Sequence, residues 1–223
     1  MTTNWLRVAS WWVADYAYAL TWQTRGFFNK TSPAAFHSGE QTPIVVIPGI
    51  YESWKFLQPL ITSMHQRGHP VHVVQLLHLN RRPVTEAADQ VTAYLEENDL
   101  TGAIVVAHSK GGLVGKYVMV QPAGAARVRG MLAVAAPFGG SRYARFMLPP
   151  SLRIFSPRNA TILALAREVS INARIVSVYG QFDPHIPGGS SLSGAKNVRI
   201  DTGGHFRILA HPRVIAELNL LAE

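Results

Sequence analysis

Six short runs of β-branched and aliphatic residues recur along the chain, and longer segments with helical spacing separate them. The runs lie at residues 44–47, 71–76, 103–107, 130–135, 173–179 and 197–200. Most of them are continuously apolar, as expected for strands that are covered on both faces. Alternation of such strands with helices is typical of crossover units. The sequence therefore predicts an α/β fold with a mostly parallel central sheet and helices on both faces.

The intervening segments supply the helices. We predict them near residues 53–67, 85–97, 110–120, 159–169 and 212–221. Thr85 with Glu86, and Pro212 near the start of the last segment, are typical of helix N-termini. Residues 1–40 differ from the rest because tryptophan, tyrosine and phenylalanine crowd an alanine-containing stretch. We therefore divide the chain into an aromatic-rich helical segment and linker at 1–40 and one α/β domain at 41–223.

Composition excludes several classes of protein. The 223 residues are 48% hydrophobic and 15% charged, which suits one globular domain with a large core. The net charge of +8 comes from scattered basic residues without a Lys/Arg run, so we expect no nucleic-acid partner. The absence of cysteine excludes disulfides and thiol nucleophiles. His65, His69, His72 and His78 match no zinc-site spacing, and we expect no metal and no cofactor.

One long interruption separates the fourth predicted strand from the next helix. Residues 139–158 contain three prolines among apolar residues that include Phe146 and Phe155. An apolar insertion of this length is typical of a lid or cap over a pocket. A packed connecting loop explains the same composition equally well, so both interpretations stay open.

A strand, a sharp turn and a helix meet at Ser109. Residues 104–107 are an apolar run, and Gly111 and Gly112 open the helical segment that follows. A serine on such a turn adopts a strained backbone conformation with its hydroxyl exposed, and small residues two before and two after it avoid clashes. Ala107 and Gly111 occupy those positions. Ser109 is therefore the candidate nucleophile.

With this motif the chain resembles the α/β-hydrolase superfamily, and within it the small bacterial lipases and esterases. The resemblance spans about residues 43–222 and includes four further ordered motifs at 47–50, 136–141, 179–183 and 203–206. The chain departs from the usual pattern at Ala107, where the family's motif has glycine, and at Pro48, where the family has histidine. The resemblance implies the α/β-hydrolase fold, with 139–158 as a small apolar lid or cap-like insertion.

The remaining members of a catalytic triad follow from the family order of nucleophile, acid and base, each after a strand. Downstream of Ser109, His205 in the Gly203-Gly204 loop is favoured as the base over His211, which begins the last predicted helix. Asp183, in the polar loop after the fifth strand, is favoured as the acid. Asp201 and Glu168 are the alternatives, the first as a turn-capping carboxylate and the second within a helical pattern.

Two backbone N–H groups should form an oxyanion hole for an acyl-transfer intermediate. One is that of Lys110, next after the nucleophile, and the other that of Ile50, with Tyr51 as the second choice. The side chain of Lys110 as a Ser-Lys base is a minor alternative. Tyr51, Phe138 and Phe146 are predicted to bind substrate in an apolar acyl pocket.

These residues predict a serine hydrolase that cleaves carboxylic esters, including lipids, through an acyl-serine intermediate. The alternatives are an acyltransferase with the same triad and a non-catalytic hydrolase-like binding protein. We expect a cytoplasmic protein that contacts membranes peripherally through its aromatic N-terminal segment. Packing of that segment on the core or on a second copy is the alternative. Ala17-Tyr18-Ala19 resembles a cleavage site, so secretion stays open.

Overall fold

The computed structural model describes residues 5–223, which form eight α-helices and six β-strands. The strands are β1 (Ile44–Ile47), β2 (Val71–Val73), β3 (Ala103–His108), β4 (Val128–Val134), β5 (Ile175–Phe182) and β6 (Lys196–Gly203). The helices are α1 (Trp5–Phe28), α2 (Gln58–His65), α3 (Val84–Glu97), α4 (Lys110–Val120), α5 (Pro122–Arg127), α6 (Pro150–Arg153), α7 (Ala160–Arg167) and α8 (Pro212–Ala222). Residues 1–4 of the predicted N-terminal segment lie outside the described residues.

All six strands form one parallel sheet in the order β2-β1-β3-β4-β5-β6. Within the sheet, Ile44 of β1 lies beside Val71 of β2 on one side and Ile104 of β3 on the other. Such rows of β-branched side chains pack well on a pleated surface that is covered on both faces. The predicted α/β fold with a parallel central sheet is therefore confirmed.

Successive residues of each strand point alternately into two separate apolar clusters, one on each face of the sheet. Val45 and Val105 point to the face covered by α3, α4 and α7, whereas Val46 and Val106 point to the face covered by α2 and α8. Helix α1 packs on the second face through Tyr18, Ala19 and Trp22. Each fully buried aliphatic side chain contributes about 1.5–3 kcal/mol relative to exposure. Burial of both faces thus explains the continuous apolar runs.

The predicted ends of strands and helices differ from the structure where a 3₁₀ turn interrupts the element. Strand β2 ends at Val73 because the chain enters a 3₁₀ turn at Gln75–Leu77, and the helix predicted near 53–67 divides into a 3₁₀ turn at Trp54–Leu57 and α2. Helices α5 and α6 were not predicted, because each is short and starts with proline.

Strand β1 lies between β2 and β3, so the connections that leave β1 and β3 run in opposite directions along the sheet. A crevice opens at such a switch point, outside the carboxyl ends of the strands. The segments after β1, β3, β5 and β6 contain Ile50, Ser109, Asp183 and His205 respectively. The topology therefore brings the predicted site residues to one edge of the sheet.

Candidate active site

Ser109 occupies the turn between β3 and α4 with φ 51° and ψ −121°. A positive φ at a non-glycine residue costs about 1–3 kcal/mol, which the packing around it must offset. Gly111 makes the turn fit, because a Cβ there would lie 2.3 Å from the carbonyl oxygen of Ile47. The strain directs the Ser109 hydroxyl into the crevice at the edge of the sheet.

His205 links Ser109 to Asp183. Its Nε2 lies 2.9 Å from the Ser109 Oγ, and its Nδ1 lies 2.8 Å from Oδ2 of Asp183. The other oxygen of Asp183 accepts hydrogen bonds from the backbone N–H groups of His185 and Ile186, at 2.7 and 3.0 Å. An ionised carboxylate only accepts, so Nδ1 must carry a proton. This tautomer leaves the lone pair of Nε2 directed at the serine hydroxyl.

The charges of this pair support each other. Burial by itself would lower the pKa of His205, but the negative charge and hydrogen bond of Asp183 outweigh it and raise that pKa above its ordinary value. Burial likewise opposes ionisation of Asp183, whereas His205 and two backbone N–H groups stabilise its charge, and the pKa of Asp183 is lowered. Asp183 is therefore an anion at neutral pH, and its charge stabilises the protonated form of His205.

The N–H groups of Ile50, in the loop after β1, and of Lys110, next after Ser109, donate no backbone hydrogen bond in the turns and loops of residues 5–223. The N–H of Tyr51, the second choice for the oxyanion hole, is already engaged, because it donates to the carbonyl of Leu79 at 2.7 Å. The structure thus favours Ile50 over Tyr51 as the donor from the loop after β1.

The Lys110 side chain points away from the nucleophile. It is fully buried, and its Nζ donates to the carbonyl and side-chain oxygens of Asn80 and to the carbonyl of Arg82. Asn80 in turn donates through Nδ2 to the carbonyl of Pro48 at 2.7 Å. The Lys110 side chain therefore holds the segment that contains Asn80 and Arg82, and its Nζ has no contact with Ser109 Oγ that would suit a base.

His108 lies under the turn and joins two of its loops. Its Nδ1 is 2.9 Å from Glu52 Oε2, and its Nε2 is 3.0 Å from the carbonyl oxygen of His205. A carbonyl only accepts, so Nε2 carries a proton. The same Glu52 oxygen accepts from the N–H of Gly49 at 2.8 Å. The buried Glu52 and His108 thus connect the loop after β1 to the backbone of His205.

Comparison with solved structures finds the same architecture in several enzymes. The mature form of a lipase from Bacillus licheniformis gives a TM-score of 0.67 at 15% identity, over 82% of this chain and 93% of that one. A protein described as a non-heme bromoperoxidase from Mycobacterium tuberculosis gives 0.64 at 15% identity, over 82% and 92%. An extracellular α/β-hydrolase from a Paenibacillus species gives 0.56 at 16% identity, over 81% and 98%.

The chain has the α/β-hydrolase fold. No family model matches the chain, and no curated protein matches it in sequence. The solved structures of this fold include enzymes that differ in the reaction for which they are named, and one fold can support many activities. The activity is therefore argued from the site.

An apolar cavity of about 310 Å³ ends on Ser109 and His205. Its wall combines residues of α1, the loop after β1, the segment after β4, the insertion and the segments after β5 and β6: Gln23, Ile50, Tyr51, Glu52, Pro137, Ser141, Met147, Leu152, Phe155, His185, Ile186 and Phe206. The insertion thus covers the cavity through Met147, Leu152 and Phe155. Whether it moves as a lid stays a prediction.

The predicted substrate-binding residues divide into two groups. Tyr51 lines the cavity, and its hydroxyl is 2.7 Å from Oγ of Ser151 in the insertion. Phe138 instead packs in the core, and Phe146 is 69% exposed on the surface. Neither contacts the cavity, because the apolar pattern of an irregular segment does not reveal which side chains turn inward. From the same region of the chain, Met147, Leu152 and Phe155 line the cavity instead.

The alternative triad members lie elsewhere. Asp201 is exposed and pairs with Arg7 of α1 at 2.7 Å, and His211 caps α8. Glu168 follows α7 and does not line the cavity. Among residues 5–223, no group of three or more His, Asp or Glu side chains could hold a metal ion. No helix in the described range is long and apolar enough to cross a bilayer.

Sequence reasoning did not find Asp15, Glu52 or Asn80. Asp15 is fully buried and accepts hydrogen bonds from the backbone N–H groups of His205, Phe206 and Arg207. It is the only acidic residue in the first 39. A lone acid in an aromatic helix could have indicated a buried partner, whereas nothing local marks Glu52 or Asn80.

Proposed function

We propose that the protein hydrolyses carboxylic esters through an acyl-serine intermediate. The observation that carries this proposal is the unbroken hydrogen-bonded series from Asp183 through His205 to Ser109, at the end of an apolar cavity. A serine becomes a useful nucleophile when a neighbouring base takes its proton and a third group orients that base. The site contains one group suited to each task.

In the first half of the proposed reaction, Ser109 Oγ attacks the ester carbonyl carbon while Nε2 of His205 takes the hydroxyl proton. The carbonyl oxygen becomes an oxyanion, which the N–H groups of Ile50 and Lys110 stabilise. Loss of one such donor typically costs about 3 kcal/mol of transition-state stabilisation. The bond to the alcohol oxygen then breaks, His205 returns its proton to that oxygen, and the acyl group remains on Ser109.

In the second half, water replaces the alcohol. His205 takes one proton from the water as its oxygen attacks the acyl carbon, and a second oxyanion forms in the same place. Collapse of this intermediate breaks the bond to Ser109 Oγ, which regains the proton from His205. The carboxylic acid leaves, and the site is restored. A hydroxyl acceptor in place of water would make the same site an acyltransferase.

The cavity lining favours an apolar acyl group. Leu152, Phe155 and Met147 supply aliphatic and aromatic surface close to Ser109. Burial and the neighbouring His205 lower the pKa of His185 to about 4, so this lining residue is uncharged at neutral pH. No Lys or Arg lines the described cavity, so an apolar chain meets no permanently charged cation in its wall, which suits a lipid ester.

Covalent labelling tests the proposal. A fluorophosphonate probe should label the wild-type protein, and Ser109→Ala should remove the label together with p-nitrophenyl ester hydrolysis. Ser141 lines the same cavity, but its Oγ donates to the carbonyl of His185 at 2.7 Å. Ser141→Ala should therefore still be labelled. An unlabelled wild-type protein, or label on Ser109→Ala, would contradict the acyl-serine mechanism. Product analysis with and without added alcohols separates hydrolysis from acyl transfer.

We further propose that the cavity mouth faces an anionic lipid surface. Helix α1 lines the cavity through Gln23, and its Trp12, Leu20 and Phe27 are 43, 70 and 84% exposed. The insertion lines the cavity through Met147, and the residues on either side of it in the chain, Phe146 and Leu148, are 69 and 83% exposed. Aromatic and aliphatic side chains beside basic residues are typical of helices that lie in the membrane interface.

Apart from the buried Asp15, the charged side chains of these two segments themselves are basic. Residues 139–167 contain five arginines and no acidic residue, and the only acid of residues 1–39 is the buried Asp15. Tyr51 connects the two segments, because its carbonyl accepts from Gln23 of α1 and its hydroxyl contacts Ser151. A negatively charged bilayer complements this rim, and each basic residue near it contributes about 1 kcal/mol.

Vesicle sedimentation tests the membrane contact. The wild-type protein should sediment with vesicles that contain phosphatidylserine and less with pure phosphatidylcholine vesicles. The triple variant Leu20→Ser, Phe27→Ser, Phe146→Ser should lose most of this binding and keep its hydrolysis of a soluble ester. Equal sedimentation of the wild type and the triple variant would refute the proposed surface.

A further inference from the structure

The inner face of α1 brings a carboxylate to the backbone of His205. Asp15 lies in the middle of α1 and is 0% exposed, although most neighbouring side chains of this helix are exposed or half-buried. Its Oδ2 accepts a hydrogen bond from the N–H of His205 at 2.8 Å, and its Oδ1 accepts from the N–H groups of Phe206 and Arg207, both at 2.8 Å.

These three N–H groups start a tight turn and have no backbone partner among residues 5–223. Consecutive N–H groups that point to one side form a concave site for an anion. Asp15 supplies that anion from a point 190 residues earlier in the chain. The 3₁₀ turn at Arg207–Ala210 begins where Asp15 holds the backbone.

The backbone of the base is therefore held from two sides. Asp15 accepts from the N–H of His205, and Nε2 of His108 lies 3.0 Å from the carbonyl oxygen of His205. The imidazole itself is oriented by Asp183 at Nδ1. With its main chain and its ring both fixed, His205 can keep its Nε2 on Ser109.

The close approach of α1 depends on two glycines. A Cβ at Gly204, where φ is +121°, would lie 2.4 Å from Oδ1 of Asp15. A Cβ at Gly203 would lie 2.3 Å from the ring of Trp11. The Gly203-Gly204 pair therefore allows the helix to reach the loop, in addition to letting the chain turn toward Ser109.

A buried carboxylate is costly unless its charge is compensated. Among residues 5–223, Asp15 forms no salt bridge, and the three backbone N–H groups are its hydrogen-bond donors. A neutral acceptor could also cap a turn. A carboxylate at Asp15 also raises the pKa of His205, which favours the imidazolium form that arises as Ser109 is deprotonated.

We propose that Asp15 is a positioning residue for His205, which makes α1 part of the catalytic unit rather than an appended segment. The proposal rests on the proposed function, because it assigns Asp15 a task in the reaction of that site. It predicts that a substitution at Asp15 alters the chemical step at Ser109, which lies 94 positions further along the chain.

Asp15→Asn in the full-length protein tests this role. The amide has nearly the same size, but it lacks the charge and turns an N–H₂ group toward at least one backbone donor. Since a displacement of about 1 Å can cost roughly 100-fold in rate, we expect kcat for p-nitrophenyl butyrate to fall about 10- to 100-fold. KM should change less than about threefold, because Asp15 does not line the cavity.

The pH profile separates positioning from a general loss of structure. Asp15 is one of the negative charges that raise the pKa of His205. The acid limb of kcat/KM should therefore move to lower pH in Asp15→Asn. Asp15→Glu, which keeps the charge, should leave the acid limb near that of the wild type and recover part of kcat. A mere fold defect would lower the active fraction without moving this limb.

Asp201→Asn is the matched control, because Asp201 is an exposed carboxylate that also contacts α1, through Arg7. It should keep the wild-type kcat and acid limb. Rates are measured under conditions in which circular dichroism shows that each variant is folded. If Asp15→Asn is not folded under any such condition, Asp15→Ser is used in its place. If the probe labels the wild type but the neutral variant Asp15→Asn or Asp15→Ser keeps the wild-type kcat and acid limb, the positioning role is overturned. An unlabelled wild type overturns the proposed function instead.

Discussion

Nε2 of His205 lies 2.9 Å from Oγ of Ser109, although the two residues are 96 positions apart in the chain. At this distance the imidazole can take the hydroxyl proton directly, provided that the ring is neutral. The protonation of His205 should therefore control the activity at low pH.

We predict that kcat/KM falls as the pH falls, with a midpoint above 6.5, the ordinary pKa of histidine. Burial would move the pKa of His205 down, but the charge and hydrogen bond of Asp183 raise it on balance. A raised pKa keeps the ring protonated, and thus inactive as a base, up to a higher pH. Rates measured at constant ionic strength test this prediction, and a midpoint below 6.5 would contradict it.

Asp183→Asn should lower kcat by about 10³- to 10⁴-fold, because an amide at this position favours the wrong tautomer of the base. Its KM should change little, since Asp183 orients His205 and lies outside the cavity lining. Asp201→Asn and Glu168→Gln should stay within about twofold of the wild type. A large loss of kcat in either of these controls would reopen the choice of the acid.

The sequence predicts the sheet and the turn at Ser109 because both depend on local signals. Apolar runs of strand length mark the six strands, and a serine flanked by Ala107 and Gly111 marks the sharp turn. The order of nucleophile, acid and base then restricts the partners to the few carboxylates and histidines that follow Ser109. Short helices such as α5 cannot be predicted in this way, because six residues are too few to show a helical pattern of apolar side chains.

The supporting contacts could not be predicted, because they join segments that are distant in the chain. Asp15 meets the backbone of His205 across 190 positions, and Glu52 meets His108 across 56. No local pattern tells which backbone donor a carboxylate will reach. For the same reason Phe138 and Phe146 were predicted in the cavity, whereas packing turns one into the core and leaves the other on the surface.

Lys110→Met should lower the free energy of unfolding by about 1–3 kcal/mol, because it leaves the buried oxygens of Asn80 without their donor. The backbone N–H of Lys110 remains, so the fluorophosphonate probe should still label the variant, more slowly than the wild type. Urea denaturation and labelling rates test both statements. An unlabelled but folded variant would instead support the Ser-Lys alternative.

The same residue should give the wild type a pH-dependent stability. Burial lowers the pKa of Lys110 to about 8 from its ordinary 10.5, so the unfolded chain binds more protons between these values. The free energy of unfolding contributed by this group therefore rises as the pH increases from about 8 to 10.5. The stability gap between the wild type and Lys110→Met should widen over this window, and a gap that narrows would contradict the assignment.

Leu152→Trp should shift the preference toward shorter acyl chains, because Leu152 lines the cavity and a larger side chain would occupy its volume. Each methylene bound in an apolar pocket is worth about 1–3 kcal/mol, so the ratio of kcat/KM for octanoate and acetate esters should fall at least about tenfold. Leu148→Trp is the control, since Leu148 lies in the same segment but is 83% exposed. Equal ratios for the two variants would refute the acyl-cavity assignment.

Gly111→Ala should reduce the free energy of unfolding by about 3 kcal/mol or more, because its Cβ would lie 2.3 Å from the carbonyl oxygen of Ile47. The clash is with the backbone of β1, so no side-chain rotation relieves it, and α4 has to move away from the sheet together with Ser109. Gly139→Ala is the matched control, because a Cβ there meets no atom within 4 Å. It should leave the stability within about 1 kcal/mol of the wild type. Urea denaturation of both variants measures the difference. A Gly111→Ala protein as stable as Gly139→Ala would mean that α4 does not pack against β1 as closely as the turn at Ser109 requires.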